Sequence, residues 1–251
     1  MRNYLELGNK IIEQGDRVET RTGFTRSLTG ESLSFNMADG FPMLTTKYIN
    51  PLHIKHEVLW YLMGTTSIEY LQNNNIHIWD NWADEYNDIG KTYGYQWRRF
   101  NGDNHLGDQY KNAINLLKMD PFSRRILING WNPLELHEMN LPPCIINLHL
   151  IARPDNKLDL VVYQRSADFC LGVPYDIAEM ALLLHMICAE VDMIPNKLTI
   201  TYGDVHVYEN HIDTFKTVQA IRTPSKLPTL NPDWSLTGYE PQGKIAYKIS
   251  V

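Results

Sequence analysis

The sequence predicts an α+β fold, and three observations carry that reading. Strand-like and helix-like segments are interleaved without the regular β-α alternation that builds a doubly wound sheet. One long segment, Tyr175 to Val191, is apolar nearly all round and reads as a buried helix. The 251 residues, 43% of them hydrophobic and 11% aromatic, suffice for a large core, and no Gly/Ser-rich, Pro-rich or charged linker divides them. A single domain over residues 1–251 is therefore expected.

In chain order, Tyr4, Leu7 and Ile11 fall at helical spacing within residues 3–14, and Gly15 ends the run. Thr25 to Phe35 is rich in Ser, Thr and Leu and reads as a strand or hairpin. Pro51 suits the first turn of a helix carried by Ile54, Val58, Leu59 and Leu62 and closed by Gly64. A second helix is expected over Ser67 to Asn73. The stretch from His77 to Trp97 gathers Trp79, Trp82, Tyr86, Tyr93, Tyr95 and Trp97, which suit either core wedges or a stacking wall for a planar ligand. Residues 108–118 carry a helical pattern. Arg125 to Trp131, Ile145 to Ala152, Lys157 to Tyr163 and Leu198 to Tyr202 read as strands. Ile177, Ala181, Leu184, Cys188 and Val191 share one face of the long helix.

The net charge of −6 and a pI near 5.8 argue against a general nucleic-acid binder, which needs a broad basic field. Cys144, Cys170 and Cys188 form no closely spaced metal motif, and three is a poor number for a secreted disulfide framework. No apolar run approaches the ~20 residues of a membrane span. The start, Met1 to Glu6, turns polar too soon for a signal peptide. A cytoplasmic protein with no membrane and no nucleic-acid partner is the expectation.

The chemistry gathers around Leu141-Pro142-Pro143-Cys144 and Gln164-Arg165-Ser166-Ala167-Asp168-Phe169. Two prolines stiffen the approach to a strand and hold the sulfur in a fixed direction. Arg124, Arg125 and Arg165 supply guanidinium groups that bind phosphate bidentately, and a nearby cation lowers a thiol's pKa toward the attacking thiolate. That combination points to an enzyme that modifies a nucleotide. Two other patterns carry nothing. Gly90-Lys91-Thr92 has Glu85 where a phosphate loop needs its first glycine. His206 and His211, with Glu209 between them, have no third spaced ligand, so no metal is expected.

These residues belong to an ordered series of motifs that resembles the thymidylate synthase family along nearly the whole chain. The series runs Arg21-Thr22-Gly23, Asp39-Gly40-Phe41-Pro42, Thr45-Thr46-Lys47, His56-Glu57-Val58-Leu59-Trp60 and Ile78-Trp79-Asp80-Asn81-Trp82-Ala83-Asp84-Glu85. It continues through Tyr93-Gly94, Asp120-Pro121-Phe122-Ser123-Arg124-Arg125, the cysteine segment, Gln164-Arg165-Ser166 and Gly203-Asp204-Val205-His206-Val207-Tyr208. The resemblance implies a large mixed β-sheet covered by helices and a sheet-to-sheet homodimer. It also implies 5,10-methylenetetrahydrofolate as one-carbon donor and a pyrimidine deoxynucleoside monophosphate as acceptor. The Cys144 thiolate would add to C6 of the ring and make C5 able to attack the folate methylene. Arg21, Arg165 and Ser166 would hold the phosphate, joined by Arg124 and Arg125 from the second subunit. His206 and Tyr208 would bind the sugar hydroxyl. Glu57 would move protons and organise water, with Tyr93 near the C5 proton. Ile78, Trp79, Trp82, Leu141, Asp168, Gly172, Tyr175 and the terminal Val251 fall at positions that contact the folate or its pocket.

The chain departs from the family pattern twice: Ile145 replaces the histidine after the cysteine, and Asp176 replaces the base-reading asparagine. Uracil offers an N3–H donor and an O4 acceptor, which an amide complements; cytosine reverses both. A protonated Asp176 gives its O–H to cytosine N3 and accepts from the 4-amino group. The family includes deoxycytidylate enzymes, best known from phages that modify their DNA bases, and Asp176 resembles theirs. The expected acceptor is therefore dCMP, in the host cytoplasm for a phage-encoded chain; the alternative is an ordinary family member that tolerates Asp176 and acts on dUMP. Hydride transfer from the folate then gives a methyl group, whereas water gives hydroxymethyl and leaves tetrahydrofolate. Trp79, Trp82 and the tail from Tyr239 to Val251 favour exclusion of water, and so methylation.

Overall fold

A computed structural model describes residues 1–102 and 106–248. The elements in chain order are α1 (Arg2–Gln14), β1 (Asp16–Thr20), β2 (Gly23–Thr29), β3 (Ser32–Asn36), α2 (Pro51–Met63), α3 (Glu69–Asn73), α4 (Gly94–Arg99) and α5 (Gln109–Met119). There follow β4 (Leu127–Asn129), β5 (Ile145–Arg153), β6 (Lys157–Asp168), α6 (Gly172–Val191), β7 (Ile194–Tyr208), α7 (Glu209–Thr214), β8 (Thr229–Leu230) and β9 (Leu236–Thr237). Strands and helices are mixed without regular alternation, as an α+β chain requires. Seven strands form one sheet in the order β1-β2-β7-β6-β5-β4, with β3 also on β7.

The sheet is mixed. β1 with β2, β2 and β3 with β7, and β4 with β5 all pair antiparallel. β6 and β7 run parallel, because Ile194 N donates to Asn156 O at their starts and Phe169 N donates to His206 O at their ends. The chain between them is the crossover helix α6, the connection that parallel neighbours need.

The chain divides into two units. The first contains Met1–Pro51, Gln164–Ala181 and the chain from Lys197 onward; the second contains Leu52–Tyr163 and Leu182–Asn196. In the first, α1 buries Tyr4, Leu5, Leu7, Ile11 and Ile12, and Gly15 N closes the helix on Ile11 O. Tyr4 stacks on Phe169 with ring centroids 4.3 Å apart, and its hydroxyl donates to Phe169 O. In the second, α2 buries Ile54, Glu57, Val58, Trp60 and Tyr61. Asp108 caps α5 by accepting from Lys111 N, and α5 buries Tyr110, Ala113, Ile114 and Leu117 at helical spacing. By length and composition α6 could cross a membrane, but 72% of its most apolar window is buried inside the fold.

Several elements differ from the sequence-based expectation. Thr25 to Phe35 is a single strand direction broken at Gly30: β2 lies opposite Tyr208–Asp204 and β3 opposite Thr201–Lys197 on the same partner. The hairpin instead joins β1 to β2, across a tight turn at Arg21 and Thr22. The strand expected over Arg125 to Trp131 shrinks to β4, while β6 and β7 extend well past their apolar cores.

Candidate active site

Within the second unit, a connected set of side chains surrounds Glu57. This carboxylate is 5% exposed, and its Oε1 accepts from Tyr61 OH at 3.0 Å and Trp79 Nε1 at 2.7 Å. The Trp79 ring meets Tyr93 at 5.3 Å and Trp82 at 5.7 Å, both edge-on, while Tyr61 stacks on Tyr93 at 5.4 Å. Tyr93 OH in turn accepts from Cys144 N at 3.1 Å. Trp79, Tyr93 and Trp97 of the aromatic stretch are buried while Tyr86 is exposed, and Trp79 and Tyr93 link the expected proton-transfer group to the expected nucleophile.

Local backbone explains how Tyr93 reaches this position. It has φ +39° just before α4, a conformation that costs of order 1–3 kcal/mol in a residue with a Cβ. The neighbouring glycine lets α4 pack closely. A Cβ on Gly94 would lie 2.1 Å from Tyr61 O, so α4 rests directly on the backbone of α2. Cys144 is half-buried at the start of β5, after Pro142 and Pro143, and Thr92 Oγ1 donates to Leu141 O beside it. Ile78 and Leu141 are half-buried, Ile145 is buried, and Arg124 and Arg125 are exposed.

The first unit brings together a second set. Gln164, 2% exposed, donates from Nε2 to Asp176 Oδ2 at 2.8 Å and to Ser166 O at 3.2 Å. A carbonyl only accepts, so the bond to Ser166 O fixes which way the amide points. Gly172, at the start of α6, leaves open the space beside Asp176 Oδ2, where a Cβ would sit at 3.5 Å. Asp168 Oδ1 accepts from Cys170 N and Leu171 N, which orders the turn into α6. Tyr202 is fully buried; burial and then the charge of Asp176 push its hydroxyl pKa well above the ordinary tyrosine range.

His206 and Tyr208 share one face of β7, ring centroids 5.3 Å apart, and Tyr208 OH lies 2.8 Å from Thr22 Oγ1 beside the exposed Arg21. Arg165, Ser166 and Tyr175 are half-buried on β6 and α6. Val251 lies outside the described residues. Among the described residues, no three His, Cys, Asp or Glu side chains gather where a metal could be held.

The sequence reading misses four pairings: Tyr61 with Glu57, Gln164 with Asp176, and Asp204 with both Ser27 and His206. Asp204 leaves a trace, since residues 204, 206 and 208 alternate onto one face of a strand. Tyr61 lies one helical turn after Glu57.

Comparison with known proteins gives two findings. The family model described as thymidylate synthase matches residues 2–251. A thymidylate synthase from Buchnera aphidicola subsp. Schizaphis graminum (strain Sg) is 42% identical over 266 residues, covering 100% of each chain.

Proposed function

Because the chain belongs to the thymidylate synthase family, which transfers a one-carbon unit from 5,10-methylenetetrahydrofolate to a pyrimidine nucleotide, we propose that its own acceptor is dCMP and its products are 5-methyl-dCMP and dihydrofolate. One feature supports the choice of base: Asp176, in the place where the family pattern has its base-reading asparagine, accepts on Oδ2 from Gln164. A protonated carboxyl matches cytosine by giving its O–H to N3 and accepting from the 4-amino group. Uracil would set its O4 against an oxygen lone pair and its N3–H against the acid proton. Leaving such buried groups unmatched costs ~1–3 kcal/mol, or roughly ten- to hundredfold in preference.

The remaining roles follow from residue chemistry and family membership. The thiolate of Cys144 forms the bond to C6, and Glu57 with Tyr93 handles protons and water near C5. Arg21, Arg165 and Ser166 bind the phosphate, and His206 with Tyr208 binds the sugar hydroxyl. The exposure of Arg124 and Arg125 supports their service to the partner subunit of a homodimer. Ile78, Trp79, Trp82, Leu141, Asp168, Gly172, Tyr175 and Val251 contact the folate. Trp79, tied to Glu57 and set edge-on to Trp82, supports a water-poor reaction and hence methyl over hydroxymethyl.

A second reading is dUMP as acceptor, favoured by the 42% identity to a protein named thymidylate synthase. The deciding experiment incubates the enzyme with methylenetetrahydrofolate and, separately, dCMP, dUMP and CMP, with mass analysis of each product. The proposal expects methylated dCMP. A dCMP product heavier by one further oxygen assigns hydroxymethylation, and modification of dUMP alone defeats the base assignment.

A further inference from the structure

Behind His206 and Tyr208 lies a row of donors and acceptors, and the ring proton of His206 can be assigned from it. Residues 204, 206 and 208 share a face of β7, and the register of β2 sets Ser27 opposite His206 and Thr25 opposite Tyr208 on that face. Ser27 Oγ donates to Asp204 Oδ2 at 2.6 Å, and His206 Nδ1 lies 2.5 Å from Asp204 Oδ1. Burial pushes the Asp204 carboxyl up, but its bonds with His206 and Ser27 outweigh burial and leave its pKa below the ordinary carboxylate value. An ionised carboxylate can only accept, so Nδ1 carries the ring proton, and in the neutral imidazole Nε2 is then an acceptor.

Tyr208 is ordered from the other side. Thr20 Oγ1 donates to Gly23 O at 2.6 Å, so it has no proton left for Thr22. Thr22 Oγ1 lies 2.8 Å from Tyr208 OH and 3.3 Å from Thr20 Oγ1. Either hydroxyl can donate in the shorter contact, so Thr22 holds Tyr208 in place without fixing the proton between them.

We infer that Asp204, braced by Ser27, is a positioning residue that fixes the tautomer of His206, so that Nε2 accepts the proton of the one sugar hydroxyl beside Tyr208. The inference rests on the assignment of sugar binding to His206 and Tyr208. A 2′-deoxynucleoside 5′-monophosphate has one free sugar hydroxyl, at C3′, and this arrangement gives its proton an acceptor. A methoxy group there could accept but not donate, and a hydrogen could do neither.

The test uses the full chain labelled with 15N, as wild type, Asp204→Ala and Asp204→Asn, with His206 resonances assigned by their loss in His206→Gln. Ring-nitrogen shifts report the tautomer. The Nδ1–H form is expected in the wild type, lost in Asp204→Ala, and kept in Asp204→Asn, whose amide oxygen can still accept from Nδ1. A structural role alone would not return the tautomer with the amide. An Nε2–H tautomer in the wild type, or an unchanged one in Asp204→Ala, overturns the inference. Binding of dCMP and dUMP is then compared with their 3′-deoxy and 3′-O-methyl forms, so the outcome does not depend on which base is preferred. Wild type should lose roughly tenfold or more in affinity for both altered sugars, and Asp204→Ala should lose most of that discrimination. Equal discrimination in both proteins overturns the inference while sparing the sugar site. No wild-type preference for a 3′-hydroxyl removes the sugar-site assignment, and the inference falls with it.

Discussion

Tyr61 and Trp79 both donate to the same oxygen of Glu57, Oε1, and this decides what a substitution there removes. In Glu57→Gln the amide oxygen can still accept both bonds, so the fold should stay within ~1 kcal/mol of wild type. The carboxylate's proton chemistry is lost, and kcat should fall by roughly 10²–10⁴. Steady-state rates with a denaturant midpoint check the pair of claims; a stable variant with near-normal kcat would remove Glu57 from proton transfer. Cys144, the arginines, Glu57 and Asp176 could all be singled out as candidates in the sequence, because each lies in one of its motifs. Their partners could not. That Ser27 holds Asp204 depends on the register of β2 on β7, and that Gln164 holds Asp176 depends on how α6 packs beside β6.

At the scale of elements, the contact between α2 and α4 sets the position of Tyr93. Gly94→Ala would put a methyl group where Tyr61 O and Cα now lie, 2.1 and 2.6 Å from the added Cβ. The helices must separate, at a cost of about 1–3 kcal/mol. Urea unfolding should show a lower midpoint with an unchanged slope, and kcat should fall as Tyr93 is displaced. A midpoint equal to wild type would contradict the close approach. Elements were legible where burial leaves periodicity, as in α1, α2, α5 and α6. β1 was not, because all five of its residues are exposed and no apolar alternation marks it. α4 was hidden inside an aromatic stretch whose spacing fits several structures. β6 was read too short because its last residues, Gln164 to Asp168, are mostly polar, whereas the end of β7 alternates buried Val205 and Val207 with Asp204, His206 and Tyr208, a strand pattern the reading passed over.

For the molecule as a whole, Lys47 links the fold to pH. Its ammonium donates to Cys170 O at 2.7 Å and lies 5.0 Å from the Tyr247 ring centroid, at 5% exposure. Burial lowers its pKa from 10.5 to about 8, against the pull of Cys170 and Asp168. Between those values the unfolded chain holds the proton that the folded chain has released, so this group's contribution to stability rises with pH through that window. Below about 8 the buried charge costs on the order of 3 kcal/mol. The unfolding free energy of Lys47→Met relative to wild type should therefore drop by about 2–3 kcal/mol between pH 7 and pH 10. All other titrations are common to the two proteins, so a pH-independent difference would contradict a buried, destabilised cation.

The central claim, that Asp176 selects the amino-bearing pyrimidine, is tested most directly by competition. Wild type and Asp176→Asn are each given equal dCMP and dUMP with limiting methylenetetrahydrofolate, and the ratio of kcat/KM is read from the two products. Wild type should favour dCMP by roughly ten- to hundredfold, and the asparagine variant should reverse toward dUMP. A wild type that consumes dUMP first, with a ratio unmoved by the substitution, would contradict the account.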